Sequence, residues 1–176
     1  MPEKQTVFVA IGSNQDREAS IAFAVQELQS RYDDMMISSV YESHPVGFSG
    51  ADFYNLVCRF TTDENIETLN LSLKSIEAQC EGSRNSGKLK AKKLDLDLLL
   101  YGDSVINTEQ CRVPRKDIVE YPFVLKPLSE LAPDLHHPVL DIAYNDLWNE
   151  TKLDKESIWK VEFMPQGSAQ ETGICL

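Results

Sequence analysis

The sequence predicts an α+β fold in which helices pack on a mainly antiparallel sheet. The first observation is the order of the elements, which runs strand, helix, strand, strand, helix, strand over residues 6–101. The second is that both predicted helices carry a single apolar stripe, as helices that cover a sheet do. The third is the alternation of side chains along the last two strands. This order is that of a ferredoxin-like two-layer sandwich.

Local patterns justify each element. Residues 6–12 are apolar on both faces, which is typical of a central strand, and apolar residues at helical spacing mark the helices. In chain order we expect a strand over residues 6–12, a helix over 17–31, strands over 35–41 and 53–61, a helix along 66–80 and a strand over 94–101. After these we expect an irregular segment over 104–122, a short strand over 123–125 and short helices over 127–131 and 142–148.

Length and charge narrow the class of protein. We expect one domain over residues 1–165 and a polar tail over 166–176. The net charge of −11 opposes binding to nucleic acid or to an anionic membrane, and no apolar run is long enough to predict a membrane span. The four cysteines form no Cys-x-x-Cys pair, which indicates reduced thiols. We therefore expect a cytoplasmic monomer without nucleic-acid or membrane partners.

The segment 94–101 carries the most informative pattern. In a strand, Asp95 and Asp97 point to one face while leucines point to the other, so their Cα atoms lie about 6–7 Å apart. Two carboxylates this close repel each other unless a cation lies between them, and Mg²⁺ accepts carboxylate and phosphate oxygens together. The alternative is the solvent face of an amphipathic edge strand, and the pattern alone leaves both possibilities open.

A basic cluster precedes these aspartates. Between Glu81 and Asp95 every charged side chain is positive: Arg84, Lys88, Lys90, Lys92 and Lys93. Taken alone, such a loop is typical of a solvated surface. Joined directly to paired aspartates, it predicts the remaining half of a site for nucleotide phosphates, and residues 82–93 are expected to form a mobile loop.

A third pattern indicates a pocket for a flat heterocycle. Phe53 and Asn55 share one strand face, which places an aromatic platform beside an amide that both donates and accepts hydrogen bonds. Phe123 is a candidate second platform. Core packing is the alternative for each aromatic residue taken singly, and Trp148 and Trp159 are expected to be packing residues.

Together these segments resemble the hydroxymethyldihydropterin pyrophosphokinase family. The matching motifs are residues 10–14 (AIGSN), 38–47 (SSVYESHPVG), 52–55 (DFYN), 94–97 (LDLD) with 101–102 (YG), 123–128 (FVLKPL), and 132–135 (APDL) with 137–138 (HP). The resemblance covers residues 6–147. It implies transfer of diphosphate from ATP to a pterin alcohol, with attack of the hydroxymethyl oxygen on the β-phosphorus and departure of AMP.

The resemblance also implies roles for individual residues. Asp95 and Asp97 would hold two Mg²⁺ ions that bridge the phosphates of the co-substrate ATP, and Lys92 would be a further catalytic and ATP-binding residue. The implied pterin pocket consists of Ser43, His44, Val46, Phe53, Asn55 and Phe123. The other residues implied to approach the nucleotide are Glu77 and Arg84.

The sequence departs from the family pattern in the basic part of the site. The family usually has a Trp and then an Arg in the loop before the aspartates, where this chain has Leu89 and Lys92. Arg115 stands where the family usually has His, and Tyr121 lies near the position of an Arg. We hypothesise that Arg112 and Arg115 restore this charge from shifted positions, so that neutral replacements of both raise the KM for ATP.

Two alternatives to the active enzyme remain at this point. One is a divergent relative that binds a pterin or nucleotide with little or no turnover, for which the altered basic positions are the support. The other is a ferredoxin-like small-molecule sensing domain, which predicts no metal dependence and leaves Asp95 and Asp97 unexplained.

Overall fold

The computed structural model describes residues 2–82 and 93–165. The strands are β1 (Gln5–Ser13), β2 (Asp33–Ile37), β3 (Val40–Ser43), β4 (Phe53–Thr62), β5 (Asp95–Tyr101), β6 (Ile106–Asn107), β7 (Arg112–Val113) and β8 (Ile158–Val161). The helices are α1 (Arg17–Arg31), α2 (Ile66–Glu81), α3 (Asp117–Glu120), α4 (Pro122–Leu131) and α5 (Tyr144–Glu150), with a 3-10 helix at Lys155–Ser157. The loop expected over residues 82–93 and the tail expected over 166–176 lie almost entirely outside the described residues.

The main sheet has the strand order β5–β1–β4–β3–β8, with β2 also paired to β4. Each pair of neighbouring strands is antiparallel. The β1–α1–β2/β3–β4–α2–β5 portion has the order expected of the ferredoxin-like arrangement, in which the first and third strands are central. The predicted fold class, an antiparallel sheet with helices packed on it, is therefore confirmed.

One face of the sheet is closed by α1 and α2. Alternate residues of β1, β4 and β5 pack there against the apolar stripes of the two helices, and the core side chains include Val9, Ile11, Ile21, Leu28, Leu56, Phe60, Leu69, Leu73 and Leu96. The start of α2 is defined by Asn65, whose side chain accepts a hydrogen bond from the backbone N–H of Thr68 at 2.9 Å. Burial of the apolar stripe stabilises α2 on the sheet and so helps to position β5, the strand that follows it.

The opposite face is covered over only part of its area. Phe8, Val57 and Leu99 pack under α3, α4 and α5, in a second core that contains Ile118, Val124, Leu125, Leu128 and Tyr144. The helices after β5 thus add a partial third layer to the sandwich. Where this layer ends, the ends of β1, β4 and β5 are left open for a site.

Several local predictions are wrong. The single strand expected over 35–41 is divided at Ser38, whose hydroxyl accepts from the backbone N–H of Val57 at 2.9 Å, so β2 and β3 pair with different parts of β4. Residues 123–125 are not a strand but the first turns of α4, which begins at Pro122, because a proline suits the first helical position. The segment expected to be irregular contains the β6–β7 hairpin and α3. Strand β8 was not expected.

Candidate active site

The candidate site begins with the register of three neighbouring strands. Gly12 of β1 is paired with Asn55 of β4 on one side and with Asp95 of β5 on the other. Two residues back along β1, Ala10 lies between Val57 and Asp97. The β1 residues between the amide and the carboxylates are small, and a Cβ added at Gly12 would be in ordinary van der Waals contact with Asn55 Oδ1 at 3.6 Å.

A cavity of about 320 Å³ opens above this part of the sheet. It contains the whole of the predicted pterin pocket together with both aspartates: Ser43, His44, Val46, Phe53, Asn55, Asp95, Asp97 and Phe123. Its lining also includes Phe48, Arg115, Asp117 and Tyr121. Strands β3, β4 and β5, the loop between β3 and β4, and helix α4 therefore all contribute to one cavity.

Hydrogen bonds fix the orientation of the Asn55 amide. Its Nδ2 donates to the backbone carbonyl of Tyr41 at 3.2 Å and to Ser43 Oγ at 2.9 Å. Both amide hydrogens are thus used within the protein, and Oδ1 is the atom available to N–H groups of a ligand. Ser43 and Asn55 are both buried, so this hydrogen bond is shielded from water.

Aromatic side chains form the apolar part of the cavity. Phe53, the first residue of β4, meets the ring of Phe48 edge to face, with centroids 6.3 Å apart. Phe123 lies in the first turn of α4 and stacks on Tyr121, with centroids 5.0 Å apart and an interplanar angle of 18°. Each platform is therefore supported by a second ring, which limits its rotation.

The carboxylates lie at the polar end of the cavity. Burial of Asp97, followed by the negative charge of Asp95, raises the pKa of Asp97 to about 6, although the guanidinium of Arg115 opposes this shift. A carboxyl group held in this way is stabilised by a cation that shares its oxygens. Within the described part of the chain, no group of three or more His, Cys, Asp or Glu side chains is placed to hold a metal by itself. Two carboxylates fit Mg²⁺, which protein sites bind through one or two carboxylates plus substrate phosphates.

Arg115 connects this cavity to a second one. Its Nε donates to Asp117 Oδ2 at 2.9 Å, and its Nη2 lies 3.6 Å from Asp97 Oδ1. Both Arg115 and Asp97 also line an adjoining cavity of about 230 Å³, whose other residues include Lys74 and Arg112. The structure thus brings together the two arginines that were expected to act from shifted positions, and it adds a lysine.

Glu77 fixes the position of β5 relative to α2. Its Oε1 accepts a hydrogen bond from the backbone N–H of Leu96 at 2.7 Å, and its Oε2 lies 3.5 Å from Lys74 Nζ. Burial is the main cause of the raised pKa of this carboxyl group. In this structure Glu77 therefore holds the backbone between the two aspartates and lies beside the exposed side chain of Lys74.

The structure gathers most of the predicted site residues and adds some that sequence reasoning missed. Two predicted residues, Arg84 and Lys92, lie outside the described residues. The missed residues are Gly12, Phe48, Lys74 and Asp117. Phe48 carried a weak signal, because an aromatic residue in a glycine-containing loop has no strand or helix in which to pack. Lys74 carried none, since it lies on a helix 21 residues before Asp95.

These features define a class of protein. Aromatic platforms and an oriented amide beside paired carboxylates and arginines are typical of an enzyme that transfers a phosphoryl-type group from a nucleotide to a heterocyclic acceptor. A family model described as 7,8-dihydro-6-hydroxymethylpterin-pyrophosphokinase (HPPK) matches residues 8–133. The chain belongs to this family, so the resemblance inferred from its motifs is confirmed.

Curated relatives agree with this assignment. The chain is 34% identical to 2-amino-4-hydroxy-6-hydroxymethyldihydropteridine pyrophosphokinase of Aquifex aeolicus over 76% of this chain and 84% of that protein. It is 31% identical to the protein of the same name in Haemophilus influenzae, over 76% of this chain and 85% of the relative. The Folic acid synthesis protein fol1 of Pneumocystis carinii is 32% identical over 80% of this chain, which spans only 19% of that longer protein.

Solved structures agree at the level of the fold. A triple mutant of Plasmodium falciparum HPPK-DHPS with pteroate superposes with a TM-score of 0.69 at 13% identity, covering 90% of this chain and 47% of that one. Over residues 2–82 and 93–165, none of the helices combines the length and the apolar character that crossing a membrane requires. None of the comparisons favours the small-molecule sensing domain or the relative with little turnover.

Proposed function

We propose that this chain transfers diphosphate from ATP to 6-hydroxymethyl-7,8-dihydropterin, with the pterin diphosphate and AMP as products. The observation that carries the proposal is that one cavity contains both an aromatic pocket with an oriented amide and the pair of carboxylates. Family membership supports the same activity, and the relatives named as pyrophosphokinases support the enzyme class expected from the sequence.

The aromatic part of the cavity suits the pterin. Phe53 and Phe123 line this part and would stack on a planar ring, while Asn55 Oδ1 would accept from N–H groups at the edge of that ring. Ser43 contributes by holding Asn55, while His44 and Val46 line the same cavity from the loop after β3. Binding of the ring here would direct its hydroxymethyl substituent toward the carboxylates.

The charged part of the cavity suits the polyphosphate of ATP. Asp95 and Asp97 would hold Mg²⁺, for which we propose two ions, and the bound metal neutralises charge on the phosphates. Arg112, Arg115 and Lys74 line the adjoining cavity and would contact phosphate oxygens directly. Glu77 would act by holding the backbone of β5.

The reaction then consists of one in-line displacement. A bond forms between the pterin hydroxymethyl oxygen and the β-phosphorus, and the hydroxyl proton is released to water. The bond from that phosphorus to the α,β-bridging oxygen breaks, and AMP leaves with the bridging oxygen. Phosphoryl-type transfers are accelerated mostly by positioning and charge neutralisation. The residues described here hold the acceptor beside the carboxylates and place cations around the phosphates.

We extend the proposal to the partners and location of the protein. The net charge of −11 supports a protein that binds small substrates rather than nucleic acid or an anionic membrane. The separate cysteines without a Cys-x-x-Cys pair support the reducing conditions of the cytoplasm. We further propose that the chain acts as a monomer, with residues 1–165 as one domain.

The test is to quantify AMP released from ATP and Mg²⁺ with and without 6-hydroxymethyl-7,8-dihydropterin. We expect pterin-dependent AMP that falls by about 10²–10³-fold or more in Asp95→Ala and in Asp97→Ala, since each removes charge stabilisation at the phosphates. Asp103→Ala is the matched control, because Asp103 is an exposed aspartate just after the same strand.

Two results would contradict the proposal. Full activity in either aspartate variant would remove the assigned metal ligands. Absence of AMP from a folded wild-type protein that still binds the pterin would favour the relative with little turnover, and Leu89, Lys92 and Tyr121 would then be the first positions to restore to the family pattern.

A further inference from the structure

Five residues form a closed ring of contacts, four between side chains and one to the backbone carbonyl of Asp52, at the base of the loop that joins β3 to β4. The ring consists of Arg17, Glu42, His44, Asp52 and Trp159, and we refer to it as the neck ring. The loop itself, residues 44–52, contributes Val46 and Phe48 to the candidate active site. No part of the proposed chemistry uses Arg17, Glu42, Asp52 or Trp159.

The first link of the neck ring joins the two ends of the loop. His44 is the first residue after β3, Asp52 is the last before β4, and His44 Nδ1 lies 2.7 Å from Asp52 Oδ1. Pairing of Ser43 with Phe53 brings the loop ends together, and the contact between His44 and Asp52 adds a side-chain link between the first and last residues of the loop.

Arg17, in the first turn of α1, links strand β3 to the last residue of the same loop. Its Nη1 donates to Glu42 Oε1 at 2.8 Å and to the backbone carbonyl of Asp52 at 3.1 Å. The guanidinium lies 3.8 Å from the centroid of the Tyr54 ring. Since Arg17 and Glu42 are both more than two-thirds buried, this ion pair is less screened than a surface pair.

Trp159 closes the ring from the edge strand β8. It is the cross-strand partner of Glu42, and its Nε1 donates to Glu42 Oε2 at 3.2 Å. The other side of its indole meets the imidazole of His44 edge to face, with centroids 5.2 Å apart. Trp159 was expected to be a packing residue, yet 38% of its surface is exposed, so burial alone does not account for its position.

We infer that the neck ring positions the 44–52 loop over the pterin pocket and so makes substrate affinity depend on strand β8. This inference rests on the proposed function, because it assigns the ring to the pterin half of the site. Within the ring, Glu42 is the central member, since one carboxylate oxygen serves Arg17 and the other serves Trp159. Arg17, Glu42, Asp52 and Trp159 are positioning residues that act through the loop, whereas His44 belongs both to the ring and to the lining of the cavity.

The test compares Trp159→Phe with the wild-type enzyme. Phenylalanine keeps an aromatic ring against His44 but removes the N–H that binds Glu42. We expect the KM for the pterin to rise about three- to tenfold, the range for loss of one net hydrogen bond, while kcat and the KM for ATP change less than about twofold. Trp148→Phe is the matched control, because Trp148 lies on α5 and contacts Lys126 and Lys155 rather than the loop.

A second readout needs no substrate. Hydrogen exchange of the amides in residues 44–52 of the free protein is expected to quicken in Trp159→Phe and in Glu42→Ala but not in Trp148→Phe. A variant that combines Glu42→Ala with Trp159→Phe should change the pterin KM no more than Glu42→Ala alone, because both substitutions break the hydrogen bond between Trp159 and Glu42. A Glu42→Ala variant that fails to fold leaves the Trp159→Phe comparison intact.

The outcomes separate this inference from the proposed function. An unchanged pterin KM with unchanged exchange in the loop would overturn the ring, and so would an equal rise in both KM values, which indicates general destabilisation. A wild-type protein that ignores the pterin would overturn the proposed function. In that case, exchange in the loop still decides whether the ring positions it.

Discussion

The two faces of strands β1, β4 and β5 consist of alternate residues of the same segments, yet one face is buried in the core and the other surrounds the candidate site. On the closed face, side chains such as Ile11 and Leu56 are 1% exposed under α1 and α2. On the open face, the neighbouring positions are Gly12, Asn55 and Asp95, which surround the cavity. The closed face is buried along its length, while the part of the opposite face that α3, α4 and α5 leave uncovered keeps small, polar and charged residues that a core would exclude.

The largest effect on stability is expected from the closed face. Leu56→Ala removes a fully buried side chain and should lower the free energy of unfolding by about 2–5 kcal/mol, measured by urea denaturation. Because Leu56 alternates with Asn55 and points away from it, the pterin KM of the folded fraction should stay unchanged. Leu71→Ala is the control, since Leu71 is 72% exposed and its loss should change stability by less than about 0.5 kcal/mol.

On the open face we expect a substitution to change substrate affinity, whereas on the closed face we expect it to change stability. Asn55→Ala removes the oriented amide and should raise the pterin KM about 10–100-fold, because truncation leaves polar groups of the ligand and of Ser43 without a partner. The KM for ATP should not follow. A pterin KM within about twofold of the wild-type value would show that Asn55 only supports the sheet.

Substitution of the two arginines that line the adjoining cavity should change the KM for ATP but not the KM for the pterin. We expect Arg112→Gln combined with Arg115→Gln to raise the KM for ATP about tenfold or more, since hydrogen bonds from charged donors contribute about 1.5–3 kcal/mol each. Lys116→Gln is the control with a single charge removed, because Lys116 is exposed, adjacent to Arg115 and paired with Glu120. Unchanged kinetics in the double variant would sink the idea that these arginines restore the charge of the family site.

The smallest predicted effect is a gain in stability when a charge is removed from the open face, in contrast to the loss expected when Leu56 is truncated on the closed face. Asp97 has a pKa of about 6, raised by burial and by Asp95, so the folded protein without metal binds an additional proton between about pH 4 and pH 6. Stability therefore falls as the pH rises through this window and stays reduced above it. Asp97→Asn should raise the free energy of unfolding by about 1–2 kcal/mol at pH 8, less than the full shift implies because Asp97 is partly exposed.

Denaturation of the metal-free and nucleotide-free protein at several pH values checks this prediction. The gain should shrink toward zero near pH 4, where the aspartate is protonated and resembles asparagine in charge. Asp103→Asn should show no such dependence. A loss of stability in Asp97→Asn at pH 8 would mean that the contact of Asp97 with Arg115 outweighs the repulsion from Asp95.

The local patterns that predicted this fold were those of long elements. Alternation over 53–61 and over 94–98 assigned side chains to faces correctly, and the stripe of α2 identified its buried residues. The alternation fails at Leu100, because a register shift between β1 and β5 turns this side chain to the opposite face, where it packs with Phe8 and Leu99. The secondary structure of short apolar runs depends instead on contacts with other parts of the chain. Phe123 begins a run that suits a strand, but Pro122 and packing of Val124 and Leu125 against the sheet make it helical. Strand β8 has four residues and exists through its pairing with β3.

The sequence by itself determined the family, the paired carboxylates and the aromatic and amide residues, because each of these lies within a short motif of fixed spacing. Only the tertiary structure decided which motifs meet. Gly12, Asn55 and Asp95 become neighbours through strand register, and Trp159 reaches Glu42 across 117 residues of sequence. The physical reason is that pairing between distant strands depends on burial of both sheet faces and on the entropy of closing the loops between them. These free energies depend on the whole chain and cannot be inferred from the spacing of residues within a motif.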